Sequence, residues 1–372
     1  MIVRAAVVRA PHAAMSLEDL TLEEPRADEV LVRVVATGVC HTDIAMRDQV
    51  FPVPQPIVLG HEGAGVVERI GAGVRKVAPG DHVVMTYNSC GFCPSCVANA
   101  PTYCYDFFGH NFGGSRPDGS SALAANGTGV HANFFGQSSF SSFALCHERN
   151  VVKVRKDVPL ELLGPLACGV QTGAGAVINA LKVRPGQSIA VFGTGSVGLS
   201  AILAARVAGA TTIVGVDIND ARLELARELG ATHTFNAASG DAPQEIVKLT
   251  GAGVDFALEA TGIPAVIRQA VDSLAPRGVC GIVGAAALGS EVSLDILNIM
   301  TAGRSLRGIV EGESTADSFI PALIDLYVQG RFPFDKLVTF YPFDAINAAV
   351  ADSETGKVVK AVVRMEHANA GA

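Results

Sequence analysis

Between positions 188 and 217 a short apolar run, Ser188-Ile189-Ala190-Val191-Phe192, is followed at once by Gly193-x-Gly195-x2-Gly198. Residues 196–208 then read as a helix, and Thr212-Ile213-Val214-Gly215-Val216 as a second strand ending in Asp217, nineteen positions beyond the last glycine. No other stretch limits the fold so tightly. Two uncharged strands joined by a helix read as parallel neighbours, and a parallel sheet has to be covered on both faces. In this context the glycine spacing is the dinucleotide-binding fingerprint. Gly193 permits the tight turn, Gly195 lets the backbone approach a pyrophosphate, and Gly198 allows close helix packing. Ser196 and Val197 open the helix, whose unpaired N–H groups and positive dipole end suit phosphates. Asp217 is placed to bind the adenosine ribose diol and to repel a 2'-phosphate, which favours NAD over NADP, while Arg222 five residues later keeps NADP open. The alternative is a glycine-rich turn without a nucleotide; strand, helix and Asp217 together argue against it.

The alternation continues over 220–229, 254–258, 264–274 and 279–283, so a doubly wound parallel sheet is expected. Strand carboxyl ends face the ligand crevice of such a sheet, which puts Val283 near the nicotinamide. With 372 residues, 49% of them hydrophobic, the chain exceeds one compact domain. Residues 1–85 alternate apolar and polar positions between Pro/Gly/Asp turns and predict a β-rich half with no major helix. Residues 105–133 are rich in Gly, Ser and Asn and predict a long irregular connection. Further helices are expected near 319–329 and 343–352, and a closing strand at 360–364.

A net charge of -8 leaves no basic footprint for nucleic acid. The first fourteen residues interleave apolar positions with Arg4 and Arg9, unlike a signal peptide, so a cytoplasmic protein is expected. Residues 162–181 and 185–205 are uncharged over lengths that span a bilayer, but their glycines, Pro165, Gln171 and Asn179 indicate burial in protein instead, and no membrane partner is expected.

Four of the eight cysteines form Cys90-x2-Cys93-x2-Cys96-x7-Cys104, among Ser, Gly, Pro and Asn residues with little capacity to pack a core. Four thiolates at that spacing fit a closed tetrahedral zinc site of the structural kind. Unrelated core cysteines and a redox Cys-x-x-Cys pair are weaker alternatives, because the motif is fourfold and no βαβ pattern surrounds it. Cys146 and Cys280 stand alone and read as buried apolar residues. Upstream, Cys40-His41-Thr42-Asp43 and Gly60-His61-Glu62 read as half of a catalytic zinc site, with Cys168 as the candidate third ligand. Such a site needs three protein ligands and one open position. The aromatic run Phe134–Phe140 reads as core packing ahead of substrate lining, unless it lies beside the metal.

Gly60-His61-Glu62-Gly63, the four-cysteine lobe, Gly164-Pro165-Leu166-Ala167-Cys168-Gly169 and the glycine fingerprint occur in one order. In that order and spacing the chain resembles the zinc-dependent medium-chain alcohol dehydrogenases over essentially its full length. Phe135-Gly136-Gln137-Ser138-Ser139-Phe140 and Cys168-Gly169-Val170-Gln171-Thr172-Gly173 look like the branch that acts on benzyl and other aryl or allylic primary alcohols. The resemblance implies a GroES-like β-rich catalytic domain over 1–169 with a structural zinc lobe, a Rossmann NAD-binding domain over 170–308, and a segment 309–372 completing the catalytic domain. It also implies two zinc ions per chain, NAD, a small alcohol or aldehyde substrate, and a homodimer or homotetramer. Cys40, His61 and Cys168 would hold the catalytic zinc, Asp43 would orient His61, and Glu62 would approach the metal during exchange. Thr42 would take the alcohol proton, while His41 and Lys360 would contact the pyrophosphate. One departure stands out: three residues after Thr42, where some members carry a proton-relaying histidine, this chain has Ala45. Oxidation of aliphatic alcohols or of a thiol adduct of formaldehyde is the competing activity, and a nucleotide-binding structural protein is the non-enzymatic alternative.

Overall fold

The computed structural model describes residues 1–366, which fall into two compact units. One comprises Met1–Cys168, Thr315–Ile324 and the described residues from Asp335 on; the other comprises Gly169–Ser314 and Asp325–Phe334.

The second unit is built on the strands Ser188–Phe192, Thr212–Asp217, His233–Asn236, Val254–Glu259, Leu274–Ile282 and Ser305–Gly308, all parallel. Numbered within that series, they lie in the order 3-2-1-4-5-6, the doubly wound arrangement. Ile189, Ala190, Val191 and Phe192 are fully buried, as the first and central strand of such a sheet requires. Helices Ser196–Ala208, Asp220–Leu229, Ala242–Thr250 and Pro264–Asp272 connect the strands. Their ends follow from local chemistry. Asn219 caps one helix by accepting the N–H groups of Ala221 and Arg222, and Asp241 caps the next through Gln244; each cap contributes about 1 kcal/mol. The first helix stops where Gly209 takes a left-handed φ of 83°.

The first unit is organised by the ten-residue strand Glu29–Gly38. It pairs antiparallel with Glu62–Ile70, Phe143–His147 and the C-terminal strand Lys360–Arg364. Its residues Val30, Leu31, Val32 and Val34 are fully buried in the main core, together with Phe134 and Phe140. Ile2–Val8 and Ser16–Leu22 form an antiparallel pair within a second sheet.

The first 85 residues hold one short helix, His41–Arg47, and no major one, as expected. One expectation needs correction. Residues 105–133 are not irregular throughout: Phe107–Phe112 is helical, and Leu123–Ala125 pairs with Thr128–Val130 and extends the sheet through Thr21 and Ala124. The hairpin turns on Asn126 and Gly127, both left-handed (φ 48° and 80°), the pairing that matches strand twist. The helix is anchored by Asn111, whose carboxamide accepts from Asn88 N and donates to the Asn88 and Phe107 carbonyls. Among the described residues no helix is long and apolar enough to cross a membrane.

Candidate active site

Cys40 sits where the strand Glu29–Gly38 ends and the helix His41–Arg47 begins. Asp43, fully buried in the first turn of that helix, ties three things together. Its Oδ2 accepts Cys40 N at 3.0 Å, and its Oδ1 accepts Gly60 N at 3.0 Å and lies 2.9 Å from His61 Nδ1. A carboxylate can only accept, so Nδ1 donates to Asp43, and in the neutral ring Nε2 keeps its lone pair. His61 Nε2 is buried and, among the described residues, has no hydrogen-bond partner. Gly60 approaches this point with φ 91°, and a Cβ there would strike Phe140 N.

The sulfurs of Cys40 and Cys168, a ring nitrogen of His61 and a carboxylate oxygen of Glu62 all lie within 4.8 Å of one another. Two thiols, a buried imidazole with a free lone pair and an adjacent carboxylate form a donor set suited to zinc. The electrostatics agree. The hydrogen bond with Cys168 lowers the Cys40 thiol well below its usual value against burial, with Lys360 and His61 acting in the same sense. Burial opposes charging of His61, but the Asp43 carboxylate and the Cys40 sulfur outweigh it and raise the imidazole well above its usual range, so a metal at Nε2 would displace a proton there. Burial raises the Glu62 carboxyl to about 7 against the pull of Lys360. Negative charge gathered in a dry site suits a divalent cation, which would take its ligands deprotonated.

Other residues singled out in the sequence fall at defined places. Thr42 Oγ1 lies 3.7 Å from Cys40 Sγ. His41 is exposed at the start of its helix. Lys360, expected at a pyrophosphate, is 2% exposed and donates to Glu62 Oε1 (2.8 Å), Glu62 Oε2 (2.9 Å) and Val39 O (3.1 Å), so its ammonium is engaged within the site. Phe134 and Phe135 are buried and pack on the imidazole of His61: Phe135 stacks at 4.5 Å and Phe134 meets it edge-on at 5.5 Å. Core packing and proximity to the site therefore coincide. Phe112, which the sequence did not single out, touches both rings at 5.9 and 5.1 Å.

In the lobe, Cys90, Cys93, Cys96 and Cys104 place their sulfurs within 4.8 Å of one another. The Cys90–Cys96 sulfur separation is 3.8 Å, about the edge of a tetrahedron whose centre is ~2.3 Å from each corner. Backbone N–H groups of Cys90 and Cys93 point at the sulfurs of Cys104 and Cys90, each at 3.3 Å. Backbone donors hold the Cys93 thiol down at about 6, while burial pushes Cys104 up to about 12. None of the eight cysteines is in a disulfide.

In the nucleotide unit Gly193 has φ 89°, which favours glycine, and a Cβ on Gly198 would collide with Gly193 O. A Cβ on Gly195 would instead point into open space, the cradle a pyrophosphate would fill. The helix Ser196–Ala208 begins at Gly195 with no side-chain cap, leaving the first-turn donors, including Val197, for an anion. Asp217 ends the second strand beside this turn, its Oδ2 accepting Thr194 N and Oγ1 and its Oδ1 accepting Ile218 N and Asn219 N. Arg222 Nε is buried with no hydrogen-bond partner among the described residues, and Val283 follows the strand Leu274–Ile282.

Comparison with known proteins agrees with this geometry. Residues 26–156 match the alcohol dehydrogenase GroES-like domain, and residues 196–329 match the zinc-binding dehydrogenase domain. The chain is 47% identical to a geraniol dehydrogenase of Castellaniella defragrans, over 97% of both chains. It is 37% identical to an alcohol dehydrogenase class-3 of Myxine glutinosa, again over 97% of both. Among solved structures it superposes on an alcohol dehydrogenase zinc-binding domain protein from Burkholderia ambifaria with a TM-score of 0.98 (56% identity, 99% of this chain and 100% of that one). It superposes on benzyl alcohol dehydrogenase from Acinetobacter calcoaceticus with a TM-score of 0.96 (50% identity, 98% and 100%). An oxidoreductase acting on CH–OH groups, the chain belongs to the zinc-dependent medium-chain alcohol dehydrogenases.

Proposed function

We propose that this enzyme reversibly oxidises primary aryl or allylic alcohols to aldehydes with NAD as the hydride acceptor. The observation that carries the reading is the convergence of the Cys40 and Cys168 sulfurs on the unpartnered His61 Nε2, within 4.8 Å. Zinc bound there supplies Lewis acidity that makes an alcohol hydroxyl acidic enough to lose its proton near neutral pH. The remaining steps belong to the chain itself. Asp43 holds the imidazole in the tautomer that leaves Nε2 free, the orienting role carboxylates play behind ligand histidines. Thr42 Oγ1, beside Cys40, accepts the hydrogen bond of the substrate hydroxyl and relays its proton, taking it up as its own hydroxyl proton passes on to solvent. The Glu62–Lys360 pair neutralises part of the charge gathered around the site, and His41 lies at the exposed end of the same helix to meet the cofactor.

Gly193, Gly195, Ser196, Val197 and Gly198 cradle the pyrophosphate, Asp217 and Arg222 face the adenosine ribose, and Val283 faces the nicotinamide. Cys90, Cys93, Cys96 and Cys104 hold a second, structural zinc. The relatives named for geraniol and benzyl alcohol support the substrate class, as does the aromatic wall of buried Phe134 and Phe135 and half-buried Phe112 behind His61. Eight cysteines, none of them in a disulfide, suit a reducing cytoplasm. A homodimer is supported by the sheet's edge strand Ser305–Gly308, exposed throughout, beside the exposed Ile296, Leu297 and Met300. A panel of benzyl alcohol, geraniol, ethanol and the thiol adduct of formaldehyde tests the substrate class. The expected result is a kcat/KM for the first two at least about tenfold above the others, a gap of ~1.4 kcal/mol. Preference for the thiol adduct or ethanol would contradict the assignment.

A further inference from the structure

The run Asn133–Ser138 carries four residues in the left-handed region: Asn133 (φ 62°), Phe135 (50°), Gly136 (64°) and Ser138 (54°). Three of them are not glycine. A backbone so held is retained only where its surroundings over-determine it, and such segments gather at functional sites. Here the surroundings are explicit. Ser138 Oγ donates to Val58 O at 2.6 Å and accepts Phe134 N at 3.0 Å, while Asn150 Nδ2 donates to the Gly136 carbonyl at 3.2 Å. The segment delivers one buried side chain, the carboxamide of Gln137, to the end of the ladder between Glu62–Ile70 and His82–Met85.

At that point the two strands part, and Gln137 bridges them. Its Nε2 donates to His61 O (3.0 Å) and Met85 O (2.9 Å), and its Oε1 accepts Gly63 N (3.1 Å). Two carbonyls on one side and an N–H on the other leave the amide a single satisfactory orientation. The next residue along the second strand, Thr86, is buried and donates its hydroxyl to Ala167 O at 2.7 Å. Ala167 immediately precedes Cys168. An unbroken series of short hydrogen bonds therefore runs from the main chain of His61, through Gln137 and Met85–Thr86, to the main chain that carries Cys168.

We propose that Gln137 and Thr86 are positioning residues that fix the separation of His61 and Cys168, and thereby the geometry of the catalytic metal site. The inference rests on the assignment of those two residues as ligands. The hydrogen bonds of Asp43 go to Cys40, Gly60 and His61, which lie on the two segments carrying the other ligands. His61 and Cys168 lie 107 positions apart in the chain, so the distance between them has to be set by the fold. Partners behind a metal's ligands commonly change affinity or activity 10–100-fold when removed.

The test compares wild-type holoenzyme with Thr86→Val, which keeps the side chain's shape and removes the hydroxyl, Thr86→Ser, which restores it, and Gln137→Met. Zinc per chain is followed during timed dialysis against dipicolinate, the visible spectrum is recorded after cobalt replaces the labile ion, and kcat and KM are measured. Thr86→Val and Gln137→Met are expected to release one of the two zinc ions about 10–100-fold faster and to lower kcat about tenfold. They are also expected to change the cobalt absorption while leaving KM for NAD unchanged; Thr86→Ser should return to within about twofold of wild type. Wild-type zinc retention and cobalt spectra in both Thr86→Val and Gln137→Met, whatever their melting temperatures, would overturn the proposal. A wild type that never holds a second zinc would overturn the ligand assignment beneath it, which is a separable outcome.

Discussion

The lobe draws its four sulfurs from fifteen consecutive positions, whereas the proposed catalytic cluster gathers residues 40, 61 and 168 from three separate segments. In the lobe the geometry is local: a few turns and backbone N–H groups aimed at sulfur bring a Cys90–Cys96 pair to 3.8 Å. In the cluster the separations between ligands are not local. Cys40 is placed by the end of a central strand, His61 by a left-handed glycine and Asp43, and Cys168 by a turn whose carbonyl Thr86 holds. A closed site can be encoded by spacing alone and stabilises its own loop. An open one needs a folded scaffold, because three ligands with a vacant fourth position must be held apart as well as together.

The difference can be broken from either side. Cys168→Ser should cut turnover by about 10³-fold or more, since several kcal/mol of charge stabilisation are lost, while NADH fluorescence titration and the lobe's zinc stay as in wild type. Near-normal turnover in that variant would remove Cys168 from the metal. Cys104→Ser should do the converse: calorimetry should show a melting midpoint lowered by about 10 °C, with one zinc lost and the fraction still folded retaining activity. Equal loss of both functions would mean that the two sites are one cooperative structure.

A finer probe uses the thiols themselves. Chelation followed by iodoacetamide at pH 8 should add label first at Cys40, Cys90 and Cys93, whose thiols are held down, in the native protein, read by peptide mass spectrometry. Cys146 and Cys280 should stay unlabelled until denaturation. Both are fully buried; burial pushes Cys280 up to about 12, so only about one part in 10⁴ is thiolate at pH 8, and it pushes Cys146 higher still. Early labelling of Cys280 would show that the nucleotide sheet opens more readily than its packing implies.

What the sequence reveals follows the same division. The strand Ser188–Phe192, the helices Ser196–Ala208 and Asp220–Leu229 and the closing strand Lys360–Arg364 lie at the expected residues, because each has strong local periodicity bounded by glycine, asparagine or a change of charge. The hairpin across Asn126-Gly127 was equally legible in principle, since that dipeptide is a strong turn signal, but the flanking strands are only three residues long and carry little alternation. Long-range polar partners left no such trace. The ammonium of Lys360 on Glu62, 298 positions away, and the carboxamide of Gln137 on His61, 76 positions away, depend on which strands meet. No local pattern encodes that. The aromatic run around Phe135 was visible as a cluster, and only the fold shows that it stacks on an imidazole.

The most direct test is zinc per chain, measured by elemental analysis on protein purified without chelator, alongside NAD reduction with benzyl alcohol. Two zinc ions per chain with turnover is the predicted result. One zinc without turnover would mean that only the four-cysteine lobe binds metal, and the convergence of Cys40, His61 and Cys168 would not be a catalytic centre.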